Sequence, residues 1–297
     1  MPELPEIETL RTGLGRLLPG RRIAAVDSNW SKSFPNSTDV IASHLIGAKI
    51  TSVTRRAKVL IVNLTSQYSL VVHLKMTGQL VFRGDNENFG AGHPSDSLVG
   101  QLPDKSTRVT LEFIDGAKLF FNDQRKFGWM RLIPTAEILN LNFFKKIGPE
   151  PLSSDFNWQI LRDQMMTRKN SIIKVALLDQ TVVAGIGNIY ADESLWGARI
   201  HPMETINRLT AKQFQKLYDE LTFVLHLAIE KGGSTDRNYV DAEGRRGSYL
   251  QFARVFRREG QACPRHQQTL IQKIRVAGRG THICPKCQKL SKPRVLK

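Results

Sequence analysis

Two groups of residues in this chain have the types and spacing to do chemistry. The first is Cys263-x2-His266, then 17 residues, then Cys284-x2-Cys287. Ligand pairs at x2 spacing fill two tetrahedral vertices from one tight turn, and three thiols plus an imidazole make a closed structural zinc set. Proline follows the first cysteine of each pair (Cys263-Pro264, Cys284-Pro285), as suits such knuckles. His282 is the alternative fourth ligand, but it would leave Cys263 without an x2 partner. The second group is the opening Met1-Pro2-Glu3-Leu4-Pro5-Glu6. Removal of the initiator methionine would expose Pro2 as a secondary amine. A terminal amine titrates near ~8, below lysine at ~10.4, so more of it is free base at neutral pH. Amines form iminium adducts with carbonyl-like sugar carbons, and Glu3 and Glu6 lie beside this one.

These groups must be positioned by folded elements. The chain has 297 residues, 41% of them hydrophobic, which is enough for two or three ordinary domains. No apolar run approaches the ~20 residues of a membrane helix, and the acidic start is no signal peptide. A soluble, intracellular protein is expected. Residues 245–297 hold 14 Lys+Arg and one acid, so most of the net charge of +16 sits in this tail. Such a footprint fits nucleic acid, with a basic solvated terminus as the alternative. Three late cysteines argue against a disulfide framework.

Ile7, Leu10, Leu14 and Leu17 recur at helical spacing behind Pro5. Short strands follow at 49–54, 59–64, 70–74, 79–82, 109–114 and 119–121, with a hairpin at Asp115-Gly116, which predicts an antiparallel sandwich. Residues 84–106 read as a long mobile loop. Beyond Gly148-Pro149-Glu150-Pro151 helical spacing returns at 160–166, 172–178, 191–196 and 210–231. Thr210 caps the last of these and Gly232-Gly233 ends it; residues 234–250 read as loop.

Seven motifs in order then carry a resemblance over nearly the whole chain. They are MPELPE; Arg55-Arg56-Ala57-Lys58; His73-Leu74-Lys75-Met76-Thr77-Gly78; Asn122 to Gly128 (NDQRKFG); Gly148 to Leu152 (GPEPL); Gly185 to Ser194 (GIGNIYADES); and Gly278-Arg279-Gly280-Thr281. With the zinc spacing, the chain resembles the bacterial formamidopyrimidine-DNA glycosylase family. The resemblance implies an α+β multidomain fold: an N-terminal helix with an antiparallel β-sandwich, a helix–two-turn–helix domain and a C-terminal zinc-bound β-hairpin. The expected boundaries are 1–135, a linker at 136–152, 153–250 and 251–297. It implies excision of oxidised purines such as 8-oxoguanine and formamidopyrimidines from duplex DNA, followed by β,δ-elimination at the abasic site.

By the same resemblance Pro2 is the nucleophile and Glu3 its acid/base partner, with Glu6 in support. Lys58 serves β-elimination, and Arg279 clamps phosphate and assists δ-elimination. Met76 and Phe127 fill the space of the extruded base, and Arg125 meets the orphaned opposite base. Lys169 and Asn188 are implied phosphate contacts, and Tyr239 belongs to a lesion-capping segment. One structural Zn2+, damaged duplex DNA as partner, a monomeric state and a cytoplasmic, nucleoid-associated location complete the expectation.

The sequence also departs from the family. His266 stands where cysteine is usual, and the interval to Cys284 is one residue longer than usual, so a bulge is expected in the hairpin. Ser106 and Arg108 replace histidines, leaving Arg108 as a candidate DNA contact, and 84–103 is longer than usual. The alternatives are an endonuclease VIII-like glycosylase for oxidised pyrimidines and a non-catalytic DNA-binding protein. Leu4 and the Gly232–Thr235 segment favour the purine branch.

Overall fold

The computed structural model describes residues 2–85, 87–234 and 249–291. The chain divides into two units, one of residues 1–145 with 228–249 and one of residues 146–227 with 250–297. No helix among the described residues is long and apolar enough to cross a membrane.

The first unit opens with α1 (Leu4–Leu17). Glu3 and Glu6 form a reciprocal capping box, in which the Glu3 N–H donates to Glu6 Oε2 at 2.8 Å. Pro5, in the first turn, removes a donor that would have no helical partner. Ile7, Leu10, Leu14 and Leu17 are all buried, as their spacing predicts. Each such side chain contributes on the order of 1.5–3 kcal/mol by leaving water.

Nine strands build the sandwich. They are β1 (Ile23–Ser28), β2 (Ile50–Arg56), β3 (Val59–Leu64), β4 (Tyr68–His73), β5 (Gly78–Arg83), β6 (Asn88–Gly92), β7 (Thr107–Phe113), β8 (Lys118–Asp123) and β9 (Trp129–Pro134); α2 (Thr38–His44) follows β1. One antiparallel sheet has the order β1-β7-β8-β5-β6 and the other β2-β3-β4-β9. Their inner faces and the apolar stripe of α1 share one core that includes Leu10, Leu60, Val72, Leu80, Leu111 and Phe121.

Residues 84–106, expected to be loop throughout, include regular structure. They hold β6, paired to β5, and a single 3-10 turn at Asp96–Leu98. The β6 sequence NFGAG has little strand propensity of its own. It is a strand because β5 offers it an edge and because the Phe89 ring lies against Gly13 of α1, where a Cβ would collide with it.

The second unit holds α4 (Trp158–Met166), α5 (Ile173–Leu178), α6 (Asn188–Gly197) and most of α7 (Ala211–Glu230); α3 (Asn142–Lys146) precedes them at the boundary. Thr210 caps α7 as predicted. Its Oγ1 accepts the Gln213 N–H at 3.3 Å, and Gln213 Oε1 accepts the Thr210 N–H at 2.9 Å. Gly232 and Gly233 end α7 with positive φ. After α8 (Tyr249–Phe252) come two antiparallel ribbons, β10 (Ala262–Cys263) with β11 (His266–Leu270), and β12 (Gln272–Val276) with β13 (Arg279–Ile283). The expected bulge is absent from β12·β13, whose register is unbroken. The shift lies between Ala262 and Cys263, in the ribbon that carries the first ligand pair.

Candidate active site and metal centre

Pro2, Glu3 and Glu6 sit together at the head of α1, all buried. Glu6 does more than cap the helix. Its Oε1 accepts both the N–H and the hydroxyl of Ser234 at 2.8 Å. A Cβ on Gly233 would lie 3.1 Å from the same oxygen, and φ there is +86°, so glycine suits this approach. The start of the 234–250 segment is thereby fastened to the N-terminus, 228 positions away in sequence. Sequence reasoning missed Ser234, because no local signal reports so distant a partner. Tyr239 lies outside the described residues.

Lys58 is buried in the tight turn between β2 and β3, where Ala57 takes a positive φ. Arg55 braces that turn, donating to Ala57 O at 3.0 Å and to Glu8 of α1 at 2.9 Å. Burial works against the Glu8 carboxylate, but its bonds to Arg55 and Arg11 outweigh this and hold its pKa below the usual value. His73 ends β4. Burial and then the nearby Lys75 and Lys58 charges lower its pKa to about 3, so the ring is neutral at physiological pH.

Met76 and Phe127 are 37% and 53% exposed. Large apolar side chains so placed on a scaffold are free to enter another molecule. The Arg125 guanidinium lies 4.8 Å above the Phe127 ring. The buried Asp123 carboxylate holds both loops. It accepts the Thr77 hydroxyl, the Arg125 N–H at 3.2 Å and the Gly128 N–H at 2.6 Å. Arg108 is placed differently. It is buried, and its guanidinium donates to the carbonyls of Asp123, Thr107 and Lys105 at 2.9 to 3.1 Å. It is committed to backbone and is not among the exposed cations.

In the second unit Arg279 is exposed beside the Ala277-Gly278 turn, where both residues have positive φ. A buried network fixes this hairpin to α6. Lys174 Nζ meets Asp192 Oδ1 at 2.5 Å and Thr281 Oγ1 at 2.7 Å, while Asp192 Oδ2 accepts the His282 N–H at 2.9 Å. Asn188, at the start of α6, donates from Nδ2 to Gly280 O at 2.9 Å. Lys169 is exposed just beyond α4.

The ligand atoms of Cys263, His266, Cys284 and Cys287 all lie within 4.8 Å of one another. Two sulfurs, of Cys263 and Cys287, are 3.7 Å apart, close to the ~3.8 Å edge of a tetrahedron with ~2.3 Å Zn–S bonds. His266 presents Nδ1 to the Cys287 sulfur at 3.2 Å. Burial and neighbouring thiols push the Cys287 thiol up to about 12, whereas a bound dication makes such a thiolate favourable. Burial and the charges of Lys286, Arg199 and Arg265 lower the His266 pKa, which keeps the ring in its neutral, ligating form. The residues therefore fit one structural zinc with His266 as fourth ligand. The alternative, His282, instead faces Asp192 and Glu259, at 3.2 and 3.3 Å.

Fold and site together define an α+β protein with a buried N-terminal carboxylate cluster and a zinc-finger hairpin. Residues 1–130 match the formamidopyrimidine-DNA glycosylase N-terminal domain, residues 147–239 its H2TH domain, and residues 269–290 the zinc finger found in FPG and IleRS. The chain is 40% identical over 290 residues to the formamidopyrimidine-DNA glycosylase of Pediococcus pentosaceus, covering 98% of this chain and all of that one. It is also 40% identical to the enzyme of Streptococcus pyogenes, covering 97% and 99%. The solved complex between Lactococcus lactis Fpg and DNA containing an abasic site matches with a TM-score of 0.84 at 35% identity, over 97% of this chain and 99% of that one. This chain belongs to the formamidopyrimidine-DNA glycosylase family. The zinc-finger match begins at residue 269, after Cys263 and His266, so the substituted ligand pair falls outside it.

Proposed function

We propose that this chain is a bifunctional DNA glycosylase and AP lyase that excises oxidised purines from duplex DNA. The observation that carries this is the buried Pro2–Glu3–Glu6 cluster at the head of α1, in a member of this family that covers the whole of its Pediococcus pentosaceus relative. The Pro2 nitrogen forms a bond to C1′ of the damaged nucleotide, and the base leaves with the electrons of the glycosidic bond. Glu3 gives a proton to the ring oxygen as the sugar opens, leaving an iminium between Pro2 and C1′. The iminium acidifies C2′. Loss of that proton, assisted by Lys58, expels the 3′ phosphate, and a second elimination assisted by Arg279 expels the 5′ phosphate.

Met76 and Phe127 hold the space of the extruded nucleotide, and Arg125 faces the orphaned base. Arg279, Lys169 and Asn188 bind phosphate; arginine suits the clamp because its planar fork is bidentate and always charged. Arg108 is left out, since its donors serve the backbone. The relatives' names favour purine lesions, and one Lactococcus lactis complex contains Fapy-dG DNA. The working unit is a monomer in the cytoplasm, with domains at 1–135, 153–250 and 251–297 about a 136–152 linker. A duplex with 8-oxoguanine opposite cytosine should be cut to leave phosphate at both ends of a one-nucleotide gap. An intact lesion strand at excess enzyme would contradict this reading.

A further inference from the structure

Arg108 interrupts the ladder between β7 and β8, and the interruption gives it a role. We propose that Arg108 is a positioning residue for reading the opposite base: from inside the sandwich it fixes the backbone of Asp123, and through Asp123 it aims Arg125. This rests on the reading above in which Arg125 faces the orphaned base.

The register shows why the side chain lies where it does. Thr107 pairs with Asn122 and Val109 with Phe121, so Arg108 is one residue more than β8 can match. Such a bulge re-aims the extra side chain. Here Nε donates to the Asp123 carbonyl at 2.9 Å, and the two terminal nitrogens donate to the Thr107 and Lys105 carbonyls at 3.1 and 2.9 Å. The bulge is braced from β1, where the Asn29 N–H donates to Arg108 O at 3.2 Å and the Asn29 side-chain amide to Thr107 O at 2.8 Å. Arg108 is only 7% exposed. A buried guanidinium must find its acceptors inside the protein, and its planar fork of donors can meet three carbonyls at once. A histidine, usual at this position, has at most two N–H groups to offer.

Asp123 is thereby held through its backbone on both sides. Its N–H donates to Ser106 O at 2.7 Å, and its carbonyl accepts from Arg108. The carboxylate of this fixed residue accepts the Thr77 hydroxyl and the N–H groups of Arg125 and Gly128. Residues 124–127 between them are exposed, and Lys126 takes a φ of +58°. A Cβ on Gly128 would lie 2.7 Å from the Phe121 ring and 3.1 Å from Asp123 Oδ2, so the loop returns tightly against the same carboxylate. Arg125 therefore stands on a short exposed loop with both ends tied to one buried group.

A long side chain gains affinity from a base edge only in so far as it is held ready for it. Without the Arg108 fork the end of β8 loses its internal tie, the carboxylate loses its fixed direction, and Arg125 samples more positions. A positioning residue and a DNA contact then differ in what their loss changes. Losing a phosphate contact lowers the dependence of log K on log salt by about 0.9. Losing Arg108 leaves that slope alone and removes only the part of the affinity that the opposite base supplies.

The test is equilibrium binding of full-length, zinc-loaded protein to a duplex with a tetrahydrofuran site, which has no C1′ leaving group. The site is placed opposite cytosine or opposite a second tetrahydrofuran. In the wild-type chain cytosine should improve affinity roughly tenfold, the scale of a good arginine contact to a base edge. Arg125→Gln should bring that ratio to about one, and Arg108→Gln to about three, with the salt slope unchanged. Arg108→Lys, which keeps the charge and loses the fork, should fall between Arg108→Gln and the wild type. A wild-type ratio in Arg108→Gln, or a salt slope lowered by about 0.9, would overturn the positioning role alone. No cytosine dependence in the wild-type chain, or none lost in Arg125→Gln, would overturn the reading of Arg125 and this inference with it. Should Arg108→Gln fail to fold, Arg108→Lys carries the same ratio and the wild-type protein a second readout. The Arg108 Nε–H should exchange slowly with solvent in the free protein, and fast exchange would contradict the buried fork.

Discussion

Two buried aspartates do the same task in the two units by different means. Asp123 holds the loops that present Met76, Arg125 and Phe127, and Asp192 holds the hairpin that presents Arg279. Asp123 is satisfied by a hydroxyl and two backbone N–H groups, and it stands on a core drawn from two sheets and a helix. Asp192 is paired with a fully buried lysine, beside a small cluster of Trp196, Val255, Ile271 and the three cysteines. The lesson is that an exposed contact residue needs a buried fixing point. Where the apolar core is large, neutral donors suffice. At the zinc hairpin, where the apolar cluster is small, an ion pair and the metal ligands take over.

The largest effect that tests this contrast is metal removal. Structural zinc contributes on the order of 10 kcal/mol to small domains that depend on it. Chelation should therefore abolish amide protection in the β10–β13 ribbons and DNA binding, while hydrogen exchange in the sandwich strands stays unchanged. Equal loss in both units would break the contrast.

Next is Asp192→Ala. It removes the carboxylate that faces the buried Lys174 ammonium, which costs about 3–5 kcal/mol; urea unfolding of the second unit checks this. Asp123→Asn should cost less, about 1–3 kcal/mol, since one amide oxygen still accepts while the other acceptor is lost. Its sharper signature is functional: weaker discrimination between lesion and intact duplex, with trapping on a pre-formed abasic site retained. If Asp123→Asn proves the costlier change, the contrast is inverted.

The last effect is absent at neutral pH and grows only in acid. His73 has its folded pKa lowered to about 3, chiefly by burial. As pH falls below the unfolded value of ~6.5, the unfolded chain binds the proton and the folded one does not. The resulting stability is complete above ~6.5 and is lost toward pH 3, at about 1.4 kcal/mol per unit. His73→Gln should flatten the acid slope of the first unit's stability by that amount and leave the second unit's slope alone.

The sequence made some of this legible and not the rest, for physical reasons. Local signals read well: the stripe of α1, the Thr210 cap, the Asp115-Gly116 turn and the x2 ligand pairs each act within a few residues. Strand β6 was hidden because its sequence lacks branched residues and its order comes from β5 and Gly13. Arg108 reads as a free cation until the carbonyls of Lys105, Thr107 and Asp123 are seen converging on it. The bonds from Ser234 to Glu6 and from Lys174 to Thr281 join residues 228 and 107 positions apart. No periodicity reports such partners.

The central claim is that the chemistry belongs to one amine at the head of α1. Borohydride reduction on an 8-oxoguanine duplex, followed by peptide mass mapping, tests it most directly. The account predicts one covalent adduct, on the N-terminal peptide at Pro2, in protein whose initiator methionine has been removed. An adduct on Lys58 or another lysine, or none from protein confirmed to begin at Pro2, would contradict it.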